Sequence, residues 1–375
     1  MNDDLYMEQA LQLARKGQGF TSPNPMVGAV LVKHNRIVGQ GYHQFAGGPH
    51  AEVNAIDDAG TAARNATLYV TLEPCNHHGR TPPCTEKIIA AGITRVVVAI
   101  SDPNPDVAGG GIAYLREHGI AVTTGVCRPQ ALALNEFFVK YVRTKRPFVI
   151  LKCAATLDGY IAARTGDSKW VTGPVARNHV HRLRQSVDAI MVGIGTIMAD
   201  DPQLTTRLDD RGTTDPLRII LDTYLSIPKR ARVLNLNSDS DTLIVCSDKA
   251  PSERIAQAQD CGAQVMVLPQ HRSRLSLDEL MDRLGAREVT SLLIEGGSKV
   301  IGSALAERVV DKINFFYAPK ILGGGGIPIC SGTGPDSMKE SLPLKMMSVD
   351  KLGDDILVEG YLGTPLEEGE CLPGS

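Results

Sequence analysis

Four residues stand in the order that hydrolytic zinc chemistry needs: His50, Glu52, Cys75 and Cys84. Zinc is held by sulfur and nitrogen donors in a tetrahedron, and a catalytic site keeps one of the four positions for water. His50, Cys75 and Cys84 supply three such donors. Glu52, just past the histidine and not itself a ligand, could move protons between that water and a substrate. A structural site would close with a fourth Cys or His, for which His77 and His78 are the nearest candidates. Contact with a polar or phosphorylated substrate suits those two better. The chemistry expected is hydrolysis by zinc-activated water.

The surrounding pattern places each of these residues at the end of an element. Helical spacing runs from Leu5 to Arg15, and two β-branched runs around His34-Asn35-Arg36 predict a hairpin. Gly47-Gly48-Pro49 opens a short helix with His50 and Glu52 in its first turn. A strand over 66–72 delivers Glu73-Pro74-Cys75, and Cys84 opens the next helix. The positive end of that helix favours the thiolate that zinc requires. A further strand over 95–101 completes a strand–helix–strand unit, which implies a parallel α/β core with ligands at the strands' carboxyl ends. One more helix is expected over 131–142.

After a short basic break at 143–147, most simply a solvated linker, the strand–helix alternation restarts. Strands are expected over 148–155, 187–192, 217–222, 242–246, 264–268, 291–294, 312–318 and 355–358, with helices over 174–185, 277–284 and 300–308. Two turns, Gly193-Ile194-Gly195 and Glu295-Gly296-Gly297, each end a strand and precede a helix, so backbone amides could cradle phosphates there. Neither is the dinucleotide fingerprint, because Met198 stands where the third glycine would be. We expect two α/β domains, 1–145 and 147–365, with 366–375 as a tail.

Composition narrows the classes. With 375 residues and a net charge of −3, the chain has no basic excess of the kind nucleic-acid binding needs. Its first residues lack a signal peptide's basic and apolar runs, and no apolar stretch is long enough to span a bilayer. Eight cysteines scattered along the chain suit a reducing compartment. The expectation is a cytoplasmic protein with no nucleic-acid or membrane partner.

His-x-Glu followed by Pro-Cys and a second cysteine is the order found in zinc nucleobase deaminases, although here the second cysteine comes nine residues after the first. That long gap, and the run from Thr71-Leu72-Glu73-Pro74-Cys75 through Asn76-His77-His78-Gly79-Arg80-Thr81-Pro82-Pro83-Cys84, resembles the bifunctional riboflavin-biosynthesis deaminase–reductases. So do Pro23-Asn24-Pro25-Met26-Val27-Gly28, Ser101-Asp102-Pro103-Asn104-Pro105 and most of the second half. The polar residues between the cysteines form an excursion in which His77, His78 and Arg80 offer donors to a phosphorylated pyrimidine.

The resemblance implies an α/β chain with a cytidine-deaminase-like three-layer α/β/α domain followed by a dihydrofolate-reductase-like domain. The first would hydrolyse the 2-amino group of 2,5-diamino-6-(5-phosphoribosylamino)pyrimidin-4(3H)-one, with one Zn²⁺ on His50, Cys75 and Cys84 and with Glu52 as proton shuttle. The second would use NADPH to reduce the ribosyl group to ribityl, and the chain would form a homo-oligomer, a dimer or tetramer. Asn24 falls on a substrate position, as do Ser168, Arg184, Leu204, Arg207 and Glu295. Ala154, Trp170, Thr196, Asp200 and Thr223 fall on nicotinamide-nucleotide positions, together with Gly297, Ser298, Lys299, Val300, Ile301, Gly302 and Ser303. Lys152 is a candidate for polarising the sugar, and either Lys152 or Glu295 could donate the proton. Arg184 and Arg207 suit phosphate capture. Trp170 could stack on a cofactor or fill the core, and Asp200-Asp201-Pro202 could be only a helix stop.

Overall fold

The computed structural model describes residues 2–77, 83–105, 110–208, 212–271 and 274–363. Its backbone contacts divide the chain between Lys145 and Arg146. The first unit runs α1 (Asp3–Ala14), β1 (Gly28–Lys33), β2 (Arg36–Tyr42), α2 (Ala51–Ala59), β3 (Thr67–Leu72), α3 (Cys84–Ala90), β4 (Arg95–Ile100), α4 (Gly111–Glu117), β5 (Ala121–Thr124), α5 (Arg128–Leu134) and α6 (Glu136–Thr144). The hairpin forms where the sequence placed it: His34 and Asn35 both take positive φ, 52° and 60°, the geometry of a tight two-residue turn matched to strand twist.

The strand order is β2-β1-β3-β4-β5, with β1 antiparallel to both neighbours and β3, β4 and β5 parallel. Two glycines show why helices cover both faces. A Cβ on Gly28 would stand 2.0 Å from the Ala10 carbonyl of α1. One on Gly41, which pairs with Ala29, would meet the Ala51 carbonyl of α2 at 2.6 Å. Neighbouring strand residues point to opposite faces, so α1 and α2 lie on opposite sides and the unit has three layers.

The helix expected over 131–142 is two helices. Asn135 interrupts it because its side chain is engaged elsewhere: Oδ1 accepts from the Met26 amide at 2.8 Å, and Nδ2 donates to the Met26 carbonyl at 3.0 Å. Strand β5 was not anticipated.

The second unit contains β6 (Phe148–Thr156), β7 (Tyr160–Ala162), α7 (Pro174–Ser186), β8 (Ala189–Gly193), α8 (Ile194–Asp200), β9 (Leu217–Leu221), β10 (Thr242–Ser247), α9 (Ser252–Asp260), β11 (Gln264–Leu268), β12 (Gln270–His271) and β13 (Arg274–Leu275). It continues with α10 (Leu277–Gly285), β14 (Ser291–Ile294), α11 (Ser298–Ala306), β15 (Lys312–Ala318), β16 (Ile327–Pro328), β17 (Lys345–Leu352) and β18 (Asp355–Tyr361). Among the described residues its main sheet has nine strands in the order β11-β10-β9-β8-β14-β6-β15-β18-β17. The run from β11 to β15 is parallel, and β18 and β17 are antiparallel additions.

The chain leaves β6 for β8, builds outward to β11, then returns to place β14 between β8 and β6. Such reversals open a crevice at the strands' carboxyl ends. Val149, Leu151 and Cys153 of β6 face one core with α10 and α11. Ala154, one position on, packs on the other side with Phe316 and the α7 residues Ala176 and Val180. Strand β17 is exposed along nearly its whole length, so it has no alternation to read, and it went unanticipated. The basic break is not wholly solvated either: Arg146 bonds Asp278 and Asp282 of α10, each at 2.6 Å. The tail expected from 366 lies outside the described residues.

Candidate active sites

His50 is the N-cap of α2, held extended behind Pro49, so its ring hangs free of the helix. Glu52 lies one residue inside the helix and is buried. Cys75 follows the end of β3, and Cys84 is the first residue of α3. His50 Nδ1 stands 3.2 Å from Cys84 Sγ and 3.5 Å from Cys75 Sγ, and the Cys84 amide donates to Cys75 Sγ at 3.3 Å.

The three donor atoms lie within 4.8 Å of one another. A tetrahedral zinc with ordinary bond lengths would separate such donors by about 3.5–3.8 Å, so the group fits that ion. It has three members among the described residues. His77 is exposed, while His78 and Arg80 lie outside the described residues.

The electrostatics fit a cation as well. The Cys75 thiol is brought down to about 4 by its hydrogen bond with Cys84, against burial, and by His50. Cys84 is pushed up by Cys75 and by burial. Two thiolates this close resist joint ionisation until a divalent ion joins them. Burial raises the Glu52 carboxyl to about 7, against the pull of His50. A group balanced there can take and return a proton near neutrality.

Asn24 is joined to this site by a residue the sequence reading did not single out. Its Nδ2 lies 3.3 Å from His43 Nε2, while His43 Nδ1 lies 3.1 Å from the Pro49 carbonyl. The consistent tautomer has Nδ1–H donating to Pro49 and Nε2 accepting from Asn24. Burial lowers the His43 pKa and keeps the ring neutral. The His43 ring meets that of His50 edge-on, with centroids 5.6 Å apart. The only sequence signal was a histidine just past the end of β2.

Glu73 serves as a brace: its two oxygens accept from the Asp102 and Ile112 amides at 3.1 and 3.0 Å. That ties the zinc-side loop to the Ser101–Pro105 segment and to α4.

In the second unit, a cleft of about 1200 Å³ opens at the carboxyl ends of β6, β8 and β14. It is lined by Lys152, Ala154, Ser168, Trp170, Arg184, Thr196, Asp200, Leu204, Arg207, Thr223, Glu295, Gly297, Ser298, Lys299, Val300, Ile301 and Ser303. Its volume exceeds that of a typical single-ligand pocket. Gly302 is not among the lining residues. A Cβ there would stand 2.0 Å from the Ser331 carbonyl, so this glycine lets α11 pack closely against that segment. Gly296 and Gly297 have φ of 130° and 81°, which frees the β14–α11 turn to bring amides into the cleft.

Glu295 organises the charges. Its side chain is 8% exposed; it accepts from Arg184 Nε and Nη2 at 2.8 and 2.9 Å and from Lys152 Nζ at 3.2 Å. Burial would raise its pKa, but Arg184 and then Lys152 draw it down to about 2. A carboxylate ionised at neutral pH has no proton to give, which sets Glu295 in this pairing as an ionised partner of the two cations.

Trp170 is 67% exposed, with the Arg177 guanidinium 4.6 Å from its ring centroid, which rules out core filling. Asp200 ends α8 and Asp201 is left-handed, so this segment is a helix stop; Asp200 also accepts from Ser168 Oγ at 3.3 Å at the cleft wall. Sequence reasoning passed over His181, another cleft residue. Its place three positions before Arg184 on α7, and hence on the same helix face, was the available signal.

Comparison with known proteins places these geometries. Residues 1–100 match the family profile described as the cytidine and deoxycytidylate deaminase zinc-binding region, and residues 147–358 match the RibD C-terminal domain. The riboflavin biosynthesis protein RibD of Aquifex aeolicus is 45% identical over 356 residues, covering 95% of this chain and 97% of that protein. The corresponding protein of Bacillus amyloliquefaciens is 44% identical over 94% of this chain and 95% of its own length. The crystal structure of a diaminohydroxyphosphoribosylaminopyrimidine deaminase/5-amino-6-(5-phosphoribosylamino)uracil reductase from Thermotoga maritima superposes with a TM-score of 0.84 at 40% identity, covering 96% of this chain and 98% of that one.

Proposed function

This chain belongs to the RibD family of riboflavin-biosynthesis proteins, and on that premise we propose how its two sites divide the work. Residues 1–145 deaminate 2,5-diamino-6-(5-phosphoribosylamino)pyrimidin-4(3H)-one, and residues 147–365 reduce the ribosyl group of the resulting uracil to ribityl with NADPH. The observation that carries this reading is the pairing of a three-donor group beside buried Glu52 in one unit with a cationic cleft in the other.

In the deaminase, His50, Cys75 and Cys84 would hold zinc, whose Lewis acidity would make water a nucleophile at neutral pH. Glu52 would take one proton from the attacking water to the ring nitrogen and then carry the proton of the new C2 hydroxyl to the departing amine, so ammonia leaves and a carbonyl remains. Asn24, steadied by His43, orients the pyrimidine edge.

In the reductase, NADPH bound in the cleft would supply the hydride that reduces the ribosyl C1′. Ala154, Trp170, Thr196, Asp200, Thr223 and the Gly297–Ser303 segment would hold that cofactor. Lys152, oriented by Glu295, delivers the proton to the sugar oxygen released as the ring opens. Ser168, Leu204 and Arg207 hold the phosphoribosyl group, with Arg184 fixed by Glu295 behind them.

Among the described residues no helix is long and apolar enough to cross a membrane. We place the enzyme in the cytoplasm as a homo-oligomer, on the strength of its scattered cysteines and its family.

Supplying the diaminopyrimidine phosphate to zinc-loaded protein should release ammonia and then consume NADPH absorbance. Ammonia without NADPH loss, given aminouracil product in the same cuvette, would refute the assignment of the second site.

A further inference from the structure

The cleft of the second unit contains a donor that the proposed reaction has not yet used. His181, on α7, is partly buried and lines the cleft beside Arg184, Arg207 and Ser168. Its Nδ1 accepts a hydrogen bond from the Arg207 backbone amide at 3.2 Å. That contact fixes the tautomer: with Nδ1 accepting, the ring proton sits on Nε2. Burial, then Arg184 and Arg207, lower the pKa to about 4, with Glu295 and the nearby Thr205 carbonyl opposing. The ring is therefore a neutral donor at working pH.

Its neighbours show what that donor can serve. Arg184 is engaged on three sides, by Glu295 through Nε and Nη2 and by the Thr205 carbonyl through Nη1 at 2.9 Å. Arg207 contacts only the neutral groups of Gln203 and Thr205, at 3.5 and 3.2 Å, and among the described residues no carboxylate forms an ion pair with it. An unpaired guanidinium beside a fixed neutral N–H donor suits an anion with several acceptor oxygens.

We propose that His181 binds the 5′-phosphate of the reductase substrate, donating from Nε2 to a phosphate oxygen while Nδ1 anchors the Arg207 segment. The proposal rests on the phosphoribosyl reading of this cleft. It makes His181 a specificity residue that separates phosphorylated substrates from their nucleoside counterparts.

Two substitutions separate its two ring atoms. In His181→Asn the side-chain oxygen can still accept from the Arg207 amide, but nothing reaches the Nε2 position. In His181→Gln the amide reaches that position and the near acceptor is lost.

Full-length protein would be titrated calorimetrically with ribose 5-phosphate, alongside reductase kinetics and thermal melting. We expect His181→Asn to weaken ribose 5-phosphate binding and raise KM about tenfold, with kcat and the melting midpoint near wild type, and His181→Gln to recover most of the loss. Wild-type affinity in His181→Asn overturns the proposal. So does unfolding of His181→Asn, or loss confined to His181→Gln, since either makes the ring a support for the Arg207 segment alone. Wild-type protein that reduces the phosphorylated substrate and its dephosphorylated form equally well overturns the phosphate assignment while leaving the reductase intact. Absence of reductase turnover in wild type would instead strike the reading beneath it.

Discussion

In the first unit, the proposed chemistry rests on four side chains between His50 and Cys84, all set at the mouths of neighbouring elements. In the second, the cleft draws on described residues from Lys152 to Gly332, carried by six strands, four helices and the loops between them. A metal dictates donor types, so its site announces itself as Cys and His at element ends. A nucleotide cleft is shaped by backbone and by small residues, and its few charges are arranged by pairing with each other. Glu295 shows this: though buried, it owes its ionised state to Arg184 and then to Lys152.

The strongest test of this division removes a metal donor. Cys84→Ser should release zinc, measured by atomic absorption, and lower ammonia release by more than about a thousandfold. NADPH consumption on the aminouracil substrate should stay near wild type. A parallel collapse of both activities would erase the comparison.

Glu52→Gln is next. It should keep the zinc yet slow ammonia release by about 10²–10⁴, again sparing the reductase.

The second unit should fail differently, through loss of mutual support. Glu295→Gln leaves Lys152 and Arg184 without their carboxylate and should cost about 3–5 kcal/mol of that unit's stability, together with most reductase turnover. The pH dependence has a definite sign. The Glu295 pKa is about 2, below its ordinary value of 4.5, so its contribution is present above pH 4.5 and is lost as pH falls towards 2. Urea midpoints taken from pH 5 down to pH 2 should fall in wild type, and the part of that slope due to Glu295 should vanish in Glu295→Gln.

The smallest effect is expected at Arg146→Ala. Its two ion pairs join side chains 34%, 57% and 56% exposed, and solvent screening should hold the loss to about 0.5–1 kcal/mol by urea unfolding. A loss several times larger would mean that this short connection governs the second unit's stability.

What the sequence disclosed follows the same contrast. The hairpin could be read because its turn residues accept positive φ, and Cys84 because a cysteine at a helix start is chemically pointed. Strand β17 left no pattern, since neither face of it is buried. His43 and His181 were missed because their partners, the Pro49 carbonyl and the Arg207 amide, are brought to them only by folding. The same holds for the ionised state of Glu295, which depends on Arg184 and Lys152, 111 and 143 positions away. Trp170 needed only its exposure to be known.

The break at Asn135 sets how small a working deaminase can be made. Asn135 grips both backbone groups of Met26, two residues from Asn24, so the far end of the unit props the segment proposed to meet the pyrimidine. A protein engineer who trims the chain after β4, keeping every zinc donor and Glu52, would remove the support under Met26 and the Asn24 beside it. The shortest portable catalyst has to run past Asn135, and grafting this loop onto another scaffold means carrying that distant amide along.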